Sequence, residues 1–110
     1  MNSELFGIDA YERDGCRVVV PSGELDAASR AAMDEQLVGP AGSLIVVDLG
    51  RLTFIDSSGL GAIATAKRKA LANDGDLVLC RPSSAVLRVL EITGLDLWVA
   101  AWDPAWSDGS

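Results

Sequence analysis

Histidine is absent from all 110 residues. That alone excludes a Ser-His-Asp or Cys-His catalytic site and any zinc site containing histidine. Cysteine is scarce, with only Cys16 and Cys80, and two distant thiols do not make a metal site. Each sits in an apolar, strand-like segment, so both are read as free, buried small hydrophobes and not as a disulfide. No run of about 18 uncharged apolar residues occurs, so no transmembrane helix and no membrane association are expected. The opening Met-Asn-Ser-Glu has neither a basic region nor an apolar stretch behind it; no secretory signal is expected, and the expected location is cytoplasmic. Basic residues are few, 9 against 16 acidic, for a net charge of -7. A nucleic-acid partner needs a basic footprint and is therefore not expected, whereas a basic protein partner is allowed. Neither Gly-x-Ser-x-Gly nor Gly-x-x-x-x-Gly-Lys-Ser/Thr is present, which argues against a serine hydrolase and against a small nucleotide-hydrolysing protein.

What the chain does have is apolar content, 49% of residues, enough for one core at this length. A single domain is expected over residues 1–102, with residues 103–110 a flexible, mostly polar tail. Leu5, Ile8 and Tyr11 open a strand. Arg13-Asp14-Gly15 is a hairpin turn, because Asp-Gly supplies the positive φ angles such turns need. Cys16 to Val20 returns as a β-branched strand, and Pro21 limits how far it pairs centrally. Asp26 is a candidate N-cap for an Ala-rich helix from Ala27 to Val38, stopped by Gly39-Pro40.

Ser43 to Leu49 is a nearly continuous apolar run, the pattern of a central strand buried on both faces. From Ser57 or Ser58 the pattern turns helical, with Leu60, Ile63, Ala64 and Leu71 predicted to face inward. Lys67, Arg68 and Lys69 lie toward the C-terminal end of that helix, where cations suit the dipole. Asn73-Asp74-Gly75 ends it. Asp76 to Cys80 predicts another buried strand. A helix from Ser83 or Ser84 places Val86, Leu87, Leu90 and Ile92 inward and closes at Gly94. Leu97 to Ala101 predicts a last short strand. The order β-β-α-β-α-β-α-β predicts an α/β fold with a mainly parallel sheet of four to five strands and an antiparallel edge from the first hairpin.

The candidate site is Asp56-Ser57-Ser58-Gly59-Leu60-Gly61. It lies between a strand and a helix, on the carboxyl side of the strand, where open α/β sheets place their ligands. Ser57 and Ser58 fall at a helix start, where unpaired N–H groups stabilise anions. A serine here also serves as a plain N-cap, worth about 1 kcal/mol. Gly59 and Gly61 each weaken the helix start by about 1 kcal/mol relative to Ala, so something is expected to approach the backbone closely.

Three segments, in order and correctly spaced, resemble one known family. Val46-Val47-Asp48-Leu49 followed by Phe54-Ile55-Asp56-Ser57-Ser58-Gly59-Leu60-Gly61 looks like the STAS signature. Gly23-Glu24-Leu25-Asp26 resembles its earlier Gly-Glu-Leu-Asp motif, and Leu90-Glu91-Ile92-Thr93-Gly94-Leu95 its late helix end. The resemblance implies a STAS-like mixed sheet with helices packed mostly on one side. It also implies an anti-sigma factor antagonist that works by partner switching. The unmodified protein binds an anti-sigma factor that is also a serine kinase, and so frees a sigma factor. Phosphorylation of Ser58, with Ser57 the less favoured residue, switches binding off, and a metal-dependent serine phosphatase restores it. ATP and magnesium belong to the partners, so this chain is expected to need no cofactor and no metal and to catalyse nothing. Asp26, Asp56, Ser57, Ser58, Gly59, Leu60 and Gly61 form the expected partner surface. Asp26 is either a contact or only a cap, and Asp56 either positions the loop or touches the partner. The competing reading is a STAS module of another assembly, a lipid transporter subunit or a stress-signalling complex.

Overall fold

The computed structural model describes residues 5–100. Strand β1 (Phe6–Arg13) pairs antiparallel with β2 (Cys16–Leu25) through a two-residue turn in which Asp14 and Gly15 both have positive φ, 53° and 80°. Such a turn matches the natural twist of the two strands. Helix α1 (Arg30–Gln36), β3 (Leu44–Asp48), β4 (Arg51–Ile55), α2 (Ser57–Ala72), β5 (Asp76–Cys80) and α3 (Ser84–Thr93) follow. The sheet has five strands. β1, β2, β3 and β5 are neighbours in that order, and β4 also pairs with β2.

Strand β2 runs on to Leu25, past the end at Val20 that the β-branched run predicts, while its parallel pairing breaks at Pro21 as expected. Residues 16–19 pair with β3 and residues 22–25 with β4, both parallel. Pro21 falls between the two ladders, where its missing N–H interrupts neither. β3 and β4 are thus two lengths of one extended stretch laid along the same side of β2. They are separated at Leu49-Gly50, where Leu52 N–H donates to the Leu49 carbonyl at 3.1 Å. The buried Asp48 carboxylate holds this break. It accepts from Gly50 N–H at 3.0 Å and from the Arg81 guanidinium at 2.6 and 3.2 Å.

Helix residues pack against one face only. Met33 of α1, Ala62, Ile63 and Ala66 of α2, and Val86 and Leu90 of α3 join Val19, Ile45, Val47, Leu77 and Leu79 in the main core. The opposite face carries a smaller cluster of strand residues, centred on Val18, Val46 and Cys80. Burial on both faces is what the unalternating run at 43–49 implies. Among the described residues neither cysteine forms a disulfide; Cys80 is buried and Cys16 partly so. They lie on β2 and β5, which β3 separates.

Four expectations are corrected. Helix α1 is shorter than Ala27–Val38, because residues 27–29 form a hydrogen-bonded turn ahead of it. Helix α2 buries Gly59, Ala62, Ile63 and Ala66, while Leu71 is 52% exposed. Its small residues, not its leucines, let it lie close to the sheet. Ile92 is 78% exposed, on the outer face of α3. The final strand from Leu97 is instead a 3-10 turn (Leu95–Trp98) entered through Gly94 at φ 82°, followed by a single parallel bridge of Val99 to Leu79. Residue 101 and the tail expected at 103–110 lie outside the described residues.

Lys67 anchors α2 to β5. Its ammonium donates to Asp76 Oδ1 at 2.7 Å and to the Leu77 carbonyl at 2.8 Å, and lies 5.4 Å from the centre of the Trp98 ring. The Lys67 hydrogen bond, aided by Leu77 N–H, holds the Asp76 carboxyl below its ordinary value of 3.8, although partial burial opposes the shift. A lowered folded-state value means that Asp76 contributes stability above the unfolded value and loses it as pH falls through the lower folded one. In urea titrations, the stability gap between the wild type and Asp76→Asn should therefore be full near neutrality and close below about pH 4. A gap that stays constant into acid would refute this role.

Candidate functional site

β2 and β4 run parallel to their last pair, Leu25 with Ile55, and each is followed by an aspartate. Adjacent strands lie about 4.8 Å apart, so the topology sets Asp26 and Asp56 side by side at one sheet end. Asp56 N–H donates to the Leu25 carbonyl at 3.2 Å, which fastens the two strand ends together.

Asp56 is the N-cap of α2. Its backbone is extended, at φ -118° and ψ -169°, and its Oδ1 accepts from Ser58 N–H at 2.9 Å and Gly59 N–H at 3.1 Å. The expectation that a serine caps this helix is thereby corrected, and two of the N–H groups expected to be free are taken. Ser57 is exposed and Ser58 half-buried; among the described residues no hydrogen bond engages either hydroxyl. Among the described residues neither hydroxyl caps the helix.

Asp26 caps the turn before α1. Its Oδ1 accepts from Ala28 N–H at 3.0 Å and Ser29 N–H at 3.2 Å, while the Ser29 hydroxyl donates to the Glu24 carbonyl at 2.9 Å. Ser29 Oγ in turn accepts from Asp26 N–H at 2.9 Å, a reciprocal arrangement akin to a capping box. The formal N-cap of α1 is Ser29, whose side chain does not cap it. Beside Asp26 a cavity of about 270 Å³ opens among Leu5, Phe6, Glu24, Ala28 and Ala32.

The two glycines have different neighbours. A Cβ on Gly59 would stand 2.8 Å from Ile55 Cγ1, Leu25 Cγ and the Leu25 carbonyl oxygen, so this residue is glycine because the protein's own sheet lies against it. A Cβ on Gly61 would stand 2.7 Å from Nη1 of Arg30, the flexible end of a side chain reaching over from α1. Leu60 is half-buried against the core, and its N–H makes the first helical bond to the Asp56 carbonyl at 2.9 Å. All seven expected site residues thus gather at one end of the sheet. Sequence reasoning missed Arg30, whose only signal was a basic residue four positions after Asp26 in an Ala-rich run. Among the described residues no three His, Cys, Asp or Glu side chains converge as a metal site requires, and no helix is long and apolar enough to cross a membrane.

A model of the STAS domain matches residues 7–105. The chain belongs to the STAS domain family. This STAS chain is 34% identical over 92 residues to the anti-sigma F factor antagonist of Paenibacillus polymyxa, covering 80% of this chain and 79% of that protein. It also resembles two solved structures of SpoIIAA, the anti-sigma factor antagonist in its unphosphorylated form and the Bacillus cell fate determinant in its phosphorylated form. The unphosphorylated form superposes with a TM-score of 0.74 at 27% identity, covering 94% of this chain and 92% of that one. The phosphorylated form gives a TM-score of 0.66 at 26% identity, covering 94% and 96%. The mixed sheet with helices on one face is the STAS fold.

Proposed function

We propose that this STAS protein is an anti-sigma factor antagonist whose binding is switched by phosphorylation of Ser58. The carrying observation is the Asp56 cap. Because Asp56 already supplies the capping oxygen, the Ser57 and Ser58 hydroxyls are spare. A spare, accessible hydroxyl on a rigid helix start can be modified without unfolding its own support. Ser58 precedes Gly59, as the resemblance to the family's phosphorylated serine requires, and one relative is known in both phosphorylated and unphosphorylated forms. The unmodified protein binds an anti-sigma factor that is also a serine kinase. Modification ends binding, and a serine phosphatase reverses it. Asp26 and Asp56 shape the partner surface through the turns they cap, with Ser57, Gly59, Leu60 and Gly61 completing it. No reaction step is assigned to this chain, and the anti-sigma factor brings the ATP.

Incubation with the cognate kinase and ATP, followed by peptide mass spectrometry, should place the phosphate on Ser58. Modification confined to Ser83, Ser84 or Ser107 would refute the assignment. Ser58→Ala should stay folded, bind the kinase and remain bound in ATP. Its hydroxyl caps nothing, so the stability change should stay below about 1 kcal/mol.

A further inference from the structure

We infer that Arg30 is the cation that receives the phosphoryl group of modified Ser58, tying α1 to the start of α2. The inference rests on Ser58 being the modified residue. A phosphate there adds about -1.5 to -2 charges. The helix N-terminus is poorly placed to absorb them, because the Ser58 and Gly59 N–H groups already bind Asp56. Asp56 and Asp26, at the two strand ends, both oppose a new anion. Within the protein, a side chain is the remaining source of counter-charge.

The basic group that packs on this end of α2 is Arg30. Its guanidinium lies across Gly61, with Nη1, Cζ and Nη2 at 2.7, 3.5 and 3.7 Å from the place a Cβ would take. Residues three apart on a helix are surface neighbours, with Cβ positions about 5–6 Å apart, and side chains lean toward the helix N-terminus. The place of a Gly61 Cβ, where the guanidinium lies, is thus about 5–6 Å from the Ser58 Cβ, within reach of a phosphoryl group on Ser58 once the two side chains rotate. Arg30 is free to respond. Among the described residues its one ion pair, Nε to Asp34 Oδ2, is 3.5 Å long and partly exposed at both ends, and exposed pairs of this kind are weak. Among the described residues neither Nη has a hydrogen-bond acceptor, which leaves the two-nitrogen edge that arginine offers to phosphate. Gly61 is what makes room, since any side chain there would take the guanidinium's place.

The test uses the full chain with phosphoserine placed at position 58 during translation, so no kinase is needed. Phosphorus NMR then follows the second ionisation of the phosphate, ordinarily near about pH 6. A facing arginine favours the dianion, so the midpoint of the otherwise wild-type phosphoprotein should lie roughly 0.5–1 unit below that of the same protein carrying Arg30→Gln. Arg30→Lys should recover part of the shift. Gly61→Ala, which leaves the arginine in the chain but fills its resting place, should raise the midpoint as Arg30→Gln does. Circular dichroism confirms that each variant is folded, and Gly61→Ala carries the test should Arg30→Gln fail that check. Midpoints that agree between the wild type and the folded variants would overturn the role of Arg30 and leave the switch at Ser58 standing. A kinase that never modifies Ser58 would overturn the switch and leave this titration unchanged.

Discussion

Phosphorylation of Ser58 should weaken binding to the anti-sigma factor kinase by two to three decades while leaving the free protein folded. The modified oxygen sits two residues from Asp56, whose carboxylate binds the backbone of Ser58 itself. At an effective dielectric near 20, two unit charges 4 Å apart repel by about 4 kcal/mol, whereas in open water the figure is nearer 1. A partner that closes over the loop excludes water and moves the pair toward the larger value. It must also strip the hydration of a dianion. A loss of roughly 3–4 kcal/mol corresponds to those two to three decades. The cap need not break, because the hydroxyl it would be modified on takes no part in it. Ser58→Asp, with one charge and fewer acceptor oxygens, should reproduce only part of the loss. Titration calorimetry of the kinase against the unmodified, phosphorylated and Ser58→Asp proteins measures the first effect, and circular dichroism the second. Affinities within a factor of three, or a collapse of helix signal in the free phosphoprotein, would defeat this account.

Gly59→Val should cost about 3 kcal/mol, the upper range for overpacking a core. The first added carbon already meets the Leu25 carbonyl at 2.8 Å, and backbone cannot swing aside as a side chain can. Gly59→Ala should cost less, since the methyl is smaller and the gain in helix propensity of about 1 kcal/mol offsets part of the clash. Two residues on, the sign reverses. Gly61→Ala meets only the end of the Arg30 side chain, so it should be neutral or stabilise by up to about 1 kcal/mol. Urea denaturation of the three variants tests the contrast. A Gly59→Val protein as stable as the wild type would show that α2 does not sit as close to β2 as described.

Much of this architecture was legible in the residues because the signals were strong and local. Asp14-Gly15 announced its turn, the run at 43–49 its doubly buried strand, and Gly94 its helix end. Strand β4 was not read. Arg51–Ile55 buries only Leu52 and Ile55, so it shows neither alternation nor a continuous apolar run, and its register comes from β2, distant in sequence. On α2, Ile63 and Leu60 pack inward as expected but Leu71 does not, because a large leucine weighs more in a periodicity argument than Gly59, Ala62 and Ala66, yet close packing selects the small side. At the site, the gathering of Asp26 with Asp56 to Gly61 was expected from the resemblance. The division of labour was not. That Asp56 caps and the serines do not depends on one carboxylate reaching the Ser58 and Gly59 amides. The place of Arg30 depends on how α1 lies against α2, which no local pattern encodes.

The sharing of β2 between two partners has a consequence in time. β1 and β2, joined by two residues, close as a hairpin on the order of microseconds, whereas β3 must first find its way back across α1. On loop-closure grounds the hairpin should form first, with docking of β3 onto residues 16–19 and of β5 onto β3 the later, non-local steps. Once β3 is docked, β4 is delivered to residues 22–25 by the short Leu49-Gly50 connection, with almost no further chain to order. The loop from Asp56 to Gly61 is thus assembled as a by-product of a folding event centred elsewhere. Residues inserted between Gly50 and Arg51 would leave the docking of β3 and the bulk of the core intact, and would let Asp56 drift from Asp26. Such a chain would fold at an ordinary rate into a sound scaffold that no longer holds the Asp56 loop beside Asp26.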